Sequence, residues 1–194
     1  MNVLLCGVGG QGVLTMSRVI CEAARRSGLD IFVGETLGMS QRGGRVHSHV
    51  RLGEDALGPL IPKGMAHLIV SLEFSESLSA LPYASSIASA VVCDVRILPI
   101  SALLGGKYPS EEEVLHHVGS TCGKAYLLKT DPVRRLGLSF LNSFVLGFLQ
   151  ANEFLPFDEK TLLSSLLGVI GKKTEENKEA FRLGKEAEAL AIKP

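Results

Sequence analysis

The chain has no tryptophan, no two of its four cysteines lie close together, and it carries no net charge: 20 Lys plus Arg face 20 Asp plus Glu in 194 residues. The missing tryptophan decides nothing, but the other absences do. Cys6, Cys21, Cys93 and Cys122 form no C-x-x-C pair and none of the close spacings that zinc and iron–sulfur sites use, so no cluster is expected on this chain. A balanced charge supplies no global field for nucleic acid or an anionic membrane, and leaves a chain prone to associate, a homodimer included. Long hydrophobic runs are also missing. Residues 77–93 are broken by Pro82 and several serines, and residues 136–152 are short for a bilayer and contain Asn, Ser and Gln. No basic stretch precedes the first apolar residues, so no secretory signal is expected and the cytoplasm is the predicted location. Nor is there a G-x-S-x-G elbow, a Walker lysine or an H-E-x-x-H helix.

What remains is an ordinary globular composition, 46% hydrophobic and 21% charged. That length fits one large domain over residues 1–194, able to bury roughly 70% of the surface its unfolded form exposes. Residues 2–6 form a brief apolar run, followed by glycines and then by Val13, Met16, Ile20 and Ala24 at helical spacing up to Gly28. A second short strand at 30–33 completes a strand–helix–strand unit, which predicts a parallel, right-handed crossover. Residues 45–52 alternate, with Val46, Ser48, Val50 and Leu52 against Arg45, His47, His49 and Arg51, predicting an edge or hairpin strand with one wet face. Continuous apolar runs at 66–72, 87–93 and 125–128 predict strands buried on both sides.

Helix boundaries can be read from their caps. Ser110 with Glu113 has the capping-box form, Asp158 can cap a helix that Gly171 ends, and Thr174 can cap the last one. From 138 to 150 the apolar residues cover most of the helix circumference, so that helix is expected to be buried on more than one side, by a neighbouring helix or another subunit.

Two loops could carry function. Gly7, Gly9 and Gly12 satisfy G-x-G-x-x-G after a strand and before a helix, where backbone amides can face a phosphate. The same glycines would equally serve a tight turn and close packing. Gln11 could donate its amide to a bound group, and Gly10 adds backbone freedom. A nicotinamide site would also need an acid after the second strand, and Glu35 comes late for that. The second loop lies within residues 34–53. In Ser40-Gln41-Arg42-Gly43-Gly44-Arg45 two guanidinium groups flank a glycine pair, suited to holding an anion or a carboxylate. His47 and His49 share a strand face but lack a third metal ligand nearby. Glu73 and Glu76 could line the same rim, with helix capping and solvation the simpler roles.

Residues 7–13 (GVGGQGV) and 38–50 (GMSQRGGRVHSHV) together resemble the gamma-type subunit of 2-oxoacid:ferredoxin oxidoreductases, and most of all the beta subunit of the indolepyruvate enzymes. The stretches NSFVLG from Asn142 and NKEAFRLG from Asn177 are similar to the family's later helices. The resemblance implies an α/β, Rossmann-like three-layer domain of the pyruvate/ketoisovalerate oxidoreductase gamma type, with a mostly parallel sheet, an edge hairpin and C-terminal helices. It further implies oxidative decarboxylation of a 2-oxoacid to an acyl-CoA, with electrons passing to ferredoxin. Thiamine diphosphate, magnesium and iron–sulfur clusters would reside in a larger catalytic partner, and coenzyme A would be the co-substrate. Gly9, Gly10, Gln11, Gly12, Ser40, Gln41, Arg42 and Gly43 are then the expected binding residues. The competing reading is a self-sufficient NAD- or flavin-binding oxidoreductase.

Overall fold

A computed structural model describes residues 1–38, 44–53, 58–98 and 107–193. In chain order the elements are β1 (Asn2–Val8), α1 (Val13–Arg26), β2 (Ile31–Leu37), β3 (Arg45–Leu52), β4 (Ala66–Ser71), the short α2 (Ser77–Ala80) and β5 (Ala84–Cys93). They continue with α3 (Glu111–Thr121), β6 (Lys124–Leu128), α4 (Asp131–Leu136), α5 (Leu141–Ala151), α6 (Glu159–Ile170), α7 (Thr174–Lys185) and β7 (Ala189–Ala191). The strands form one seven-stranded sheet in the order β2-β3-β1-β4-β5-β6-β7. β1, β4, β5 and β6 run parallel to one another, while β3 and β7 are antiparallel to their neighbours.

Side chains alternating along β1 and β4 separate two cores. Val3, Leu5, Leu68 and Val70 pack with α1, α5 and α6 on one face; Leu4, Cys6 and Ile69 pack with Val114 and Val118 of α3 on the other. This is the predicted three-layer α/β arrangement. β1 and β2 also run in the same direction across α1, as predicted, but β3 lies between them.

That insertion corrects the expectation of a wet strand at 45–52. β2 and β3 do form an edge hairpin, but β2 is the edge. β3 is interior, and His47 and His49 are buried beneath Tyr83 and the segment around Ile61. Alternation of polar and apolar side chains signals a solvated face only when no later segment covers it, and here one does.

The apolar stretch from Leu138 opens as a single 3-10 turn, Leu138–Phe140, and the α-helix starts at Leu141. Nine of the eleven α5 residues are buried, and fully burying a Leu or Phe side chain contributes about 1.5–3 kcal/mol. The predicted neighbour is a helix of the same chain. α5 crosses α7 so closely that a Cβ on Gly147 would lie 2.0 Å from the carbonyl oxygen of Phe181, and one on Gly184 would lie 1.9 Å from that of Phe144. Only glycine at both positions permits that approach. Beside the crossing, Ser143 Oγ donates to Asn177 Oδ1 at 2.6 Å, and Asn177 Nδ2 donates to the carbonyls of Lys172 and Lys173.

The caps at Ser110 and Asp158 form as predicted, each accepting the N–H three residues on, and Gly171 ends α6 in the left-handed conformation. Thr174 differs: it is the first residue of α7, the cap position is Lys173, and no side chain bonds there.

Candidate functional site

β1 ends in the middle of the sheet, and the turn from Gly9 to Gly12 carries the chain from it into α1. The side chain of Gln11 ties this turn down. Its Oε1 accepts the N–H of Val8 at 2.9 Å, and its Nε2 donates to the carbonyl of Leu72 at 2.9 Å, stapling β1 to β4. Each end of the Gln11 amide thus makes one bond within the protein, a scaffold role that leaves its second N–H uncommitted among the described residues. Gly7 provides room for this staple, since a Cβ there would lie 2.7 Å from Gln11 Oε1.

Gly12 stands at the mouth of α1 with φ +83°, and a Cβ on it would fall 2.2 Å from Asn142 Nδ2. Asn142, on the first turn of α5, donates that nitrogen to the Gly12 carbonyl at 3.0 Å. Its own Oδ1 is left without a partner although the residue is only 9% exposed. Buried acceptors of this kind are uncommon, and their loss of solvation costs about 1–3 kcal/mol unless a donor meets them.

The second predicted loop meets the first where both can be described. Gly9 N–H donates to the carbonyl of Gly44 at 2.8 Å, extending the β1–β3 ladder by one rung and bringing the start of β3 alongside the turn. Ser40, Gln41, Arg42 and Gly43 lie outside the described residues. Arg45 points to the other face, where its Nε pairs with Glu76 Oε2 at 2.8 Å.

Gly9, Gly10, Gln11 and Gly12 line a cavity of about 480 Å³ together with Thr15 and Asn142. Its far wall is aliphatic, formed by Val95, Ile97, Leu138, Leu141 and Ile170. α1 has no acidic residue in its first turn and no side-chain cap. The N–H groups there, with the positive end of the helix dipole behind them, suit an anion. The chemistry this arrangement can do is binding: an anionic oxygen at the amides, a hydrogen-bond donor at Asn142 Oδ1 and a hydrocarbon segment along the wall.

The other polar residues singled out in the sequence serve the scaffold. His47 Nε2 lies 2.8 Å from Ser79 Oγ, and His49 Nδ1 accepts the N–H of Ile61 at 3.2 Å. Burial first, then the charge of Arg45 and the neighbouring imidazole, pulls His47 down to about 4; burial lowers His49 too. Among the described residues no three His, Cys, Asp or Glu side chains group as metal ligands. Burial raises the Cys6 thiol to about 12, the Cys122 thiol to about 11 and the Cys93 thiol further still, so none is a ready thiolate.

Glu73 caps a turn as expected but is not solvated. Its carboxylate is fully buried and accepts from Ser75 Oγ, the N–H groups of Glu76 and Ile97, and the Tyr108 hydroxyl at 2.6 Å. Sequence reasoning missed this clasp and the Asn142–Gly12 bond. A single asparagine heading an apolar helix was the available signal for the second.

The family model described as pyruvate ferredoxin/flavodoxin oxidoreductase matches residues 2–187. The indolepyruvate oxidoreductase subunit IorB of Archaeoglobus fulgidus is 35% identical over 160 residues, 81% of this chain and 79% of that protein. Its counterpart in Methanothermobacter thermautotrophicus is 32% identical over 94% of this chain and 95% of its own length. Among solved structures, the keto/oxoacid ferredoxin oxidoreductase gamma subunit of Geobacter sulfurreducens superposes with a TM-score of 0.64 at 18% identity, covering 95% of this chain and 96% of that one. The 2-oxoglutarate:ferredoxin oxidoreductase of Magnetococcus marinus, solved with 2-oxoglutarate, coenzyme A and succinyl-CoA bound, superposes with a TM-score of 0.72 at 20% identity. There the match covers 96% of this chain but only 30% of the longer one.

Proposed function

Since the chain belongs to the pyruvate ferredoxin/flavodoxin oxidoreductase family, we propose that it is the small subunit of a 2-oxoacid:ferredoxin oxidoreductase working in the cytoplasm on an arylpyruvate such as indolepyruvate. In this reading a larger catalytic subunit carries thiamine diphosphate, magnesium and the iron–sulfur clusters, and passes electrons to ferredoxin. Those groups supply the decarboxylation and electron-transfer chemistry. The described residues of this chain do not suit them: Cys6, Cys93 and Cys122 are buried, Cys21 is half-buried, and no three His, Cys, Asp or Glu side chains group as metal ligands. By itself the chain is inactive.

Its own part is at the glycine turn. The amides of Gly10, Gly12 and the first turn of α1 would hold a phosphate of coenzyme A, and the cavity behind them would take an adjoining part of the molecule. Residues 40–43, which precede the Gly44 rung, would complete the rim, with Arg42 pairing a phosphate or a partner carboxylate. One observation carries this reading: the unpartnered Asn142 Oδ1 lies by an aliphatic wall and by the Gly10 and Gly12 N–H groups, which have no backbone partner among the described residues. The NAD reading loses its support in the sheet order, which puts β3 between Glu35 on β2 and the glycine turn after β1.

Co-purification from the native source, followed by mass spectrometry and cofactor analysis, tests the assignment. A large companion containing thiamine diphosphate and clusters is expected; its absence, or turnover of an oxoacid by this chain alone, overturns the proposal. Within the complex, Arg42→Ala is expected to raise the coenzyme A KM by roughly tenfold, about 1.4 kcal/mol, or to weaken assembly. No change in either removes Arg42 from the site. Titration with NADH, NADPH and flavins should show no tight binding.

A further inference from the structure

β2 forms one outer edge of the sheet. The bonds from Gly38 N–H to the Arg45 carbonyl and from Gly53 N–H to the Asp30 carbonyl set the phase of its ladder with β3. In that phase residues 32, 34 and 36 turn their backbone groups toward β3, and Ile31, Val33, Glu35 and Leu37 turn theirs outward. None of these four outward residues has a backbone partner among the described residues. The strand has no lysine, proline or bulge, the usual devices that keep an edge from pairing, and Glu35 is its one charge. Beside the exposed Glu35 and Thr36 it shows large apolar side chains to solvent: Leu37 is 63% and Phe32 40% accessible, and Leu60, 50% accessible, lies against Gly34.

We propose that β2 is the surface through which two copies of this chain pair, antiparallel, about a two-fold axis at Gly34. The edge is complementary in charge to its own rotated copy, because each outward N–H meets an outward carbonyl. Ile31 then pairs with Leu37 of the second copy and Val33 with its Glu35, each twice over. Four pairs with two bonds each give eight hydrogen bonds across the axis. Phe32 faces Thr36, an aromatic against a β-branched side chain. Gly34 meets itself where two side chains would otherwise crowd, and the two Leu60 side chains close over it. With 20 charges of each sign the chain carries no net charge to oppose the encounter. Within the strand, the register sets the two Glu35 carboxylates diagonally across the axis, where both are exposed to solvent. The contact is isologous and closes on itself, so it yields a dimer rather than a fibre. It is independent of the coenzyme A reading.

Sedimentation velocity on the intact chain across a hundredfold concentration range, with hydrogen exchange at both extremes, tests it. Mass is expected to double with concentration. The amides of Ile31, Val33, Glu35 and Leu37 should slow by about tenfold or more as the dimer forms, while those of Phe32 and Thr36, already bonded to β3, stay as they are. Glu35→Pro removes an outward N–H without touching the β3 ladder, and should leave a monomer with an unchanged circular dichroism spectrum. A chain that stays monomeric throughout overturns the proposal, and so does a dimer whose four outward amides exchange no more slowly than in the monomer. Should Glu35→Pro fail to fold, the exchange pattern of the native chain still decides. An edge covered only when the larger subunit is added, with no dimer beforehand, also overturns it.

Discussion

Gly12 and Gly147 are both glycine because a methyl group would collide with something, but the obstacles differ. At Gly12 the nearest atom is the side-chain nitrogen of Asn142; at Gly147 it is the backbone carbonyl of Phe181, and Gly184 answers with the carbonyl of Phe144. A side chain can rotate away, whereas a helix backbone moves only if the helix does. The rim at the glycine turn is therefore built with some give, and the α5–α7 crossing has none. Substitution at the rim should be felt mainly in binding, and substitution at the crossing in folding.

The largest effect is expected from Gly147→Ala or Gly184→Ala. Forcing a methyl into backbone contact should cost about 3 kcal/mol or more, read as a lower midpoint in denaturant unfolding or as failure to fold. If either variant unfolds like the parent chain, the crossing is softer than its geometry states and the contrast disappears.

Next in size is a pH effect that sets where the comparison can be made. His47 is held at about 4 in the folded protein, against about 6.5 when unfolded. Because the folded value is the lower one, the unfolded chain binds the extra proton between those pH values. The stability from neutral His47 is complete above pH 6.5 and is lost as pH falls toward 4, by an amount on the order of 2–3 kcal/mol. Unfolding free energies measured between pH 7.5 and pH 4 should show this slope, and His47→Gln should flatten it. The glycine variants belong above pH 7, where this contribution is constant.

Gly12→Ala should cost less, about 1–2 kcal/mol, for a non-glycine residue at φ +83°, with the protein folded but its coenzyme A KM raised in the complex. Combining it with Asn142→Ser should be less than additive, because the shorter side chain withdraws the obstructing nitrogen. Loss of fold in Gly12→Ala would make the two regions equivalent. Ser110→Ala, in neither region, supplies the scale: loss of its bond to the Glu113 N–H should cost about 1 kcal/mol.

Much of this architecture is legible in the sequence, and the legible parts are local. The turn after β1, the buried strands and the caps at Ser110, Asp158 and Gly171 depend on neighbours a few residues away. What sequence patterning misses is set by distant chain. His47 and His49 alternate like solvated residues and are covered by Ile61 and Tyr83; Glu73 is charged and collects donors as far away as Tyr108. The last helix starts at Thr174 rather than after it, and Asn177, anchored from α5 through Ser143, bonds the Lys172 and Lys173 carbonyls that precede it. At the site, the glycines were visible in the sequence, whereas the use of Gln11 as an internal staple was not: only the folded sheet puts the Leu72 carbonyl within its reach.

The hydrogen bond from Asn142 to the Gly12 carbonyl gives α5 two jobs at once. The helix that interlocks with α7 also supplies the strut against which the glycine rim rests, so the rim borrows its firmness from the α5–α7 crossing. Loosening the helix pair, even by a change remote from the cavity, should be heard at the glycine turn first. Conversely, a molecule seated there and donating to Asn142 would brace the helix pair from one end, raising its melting temperature.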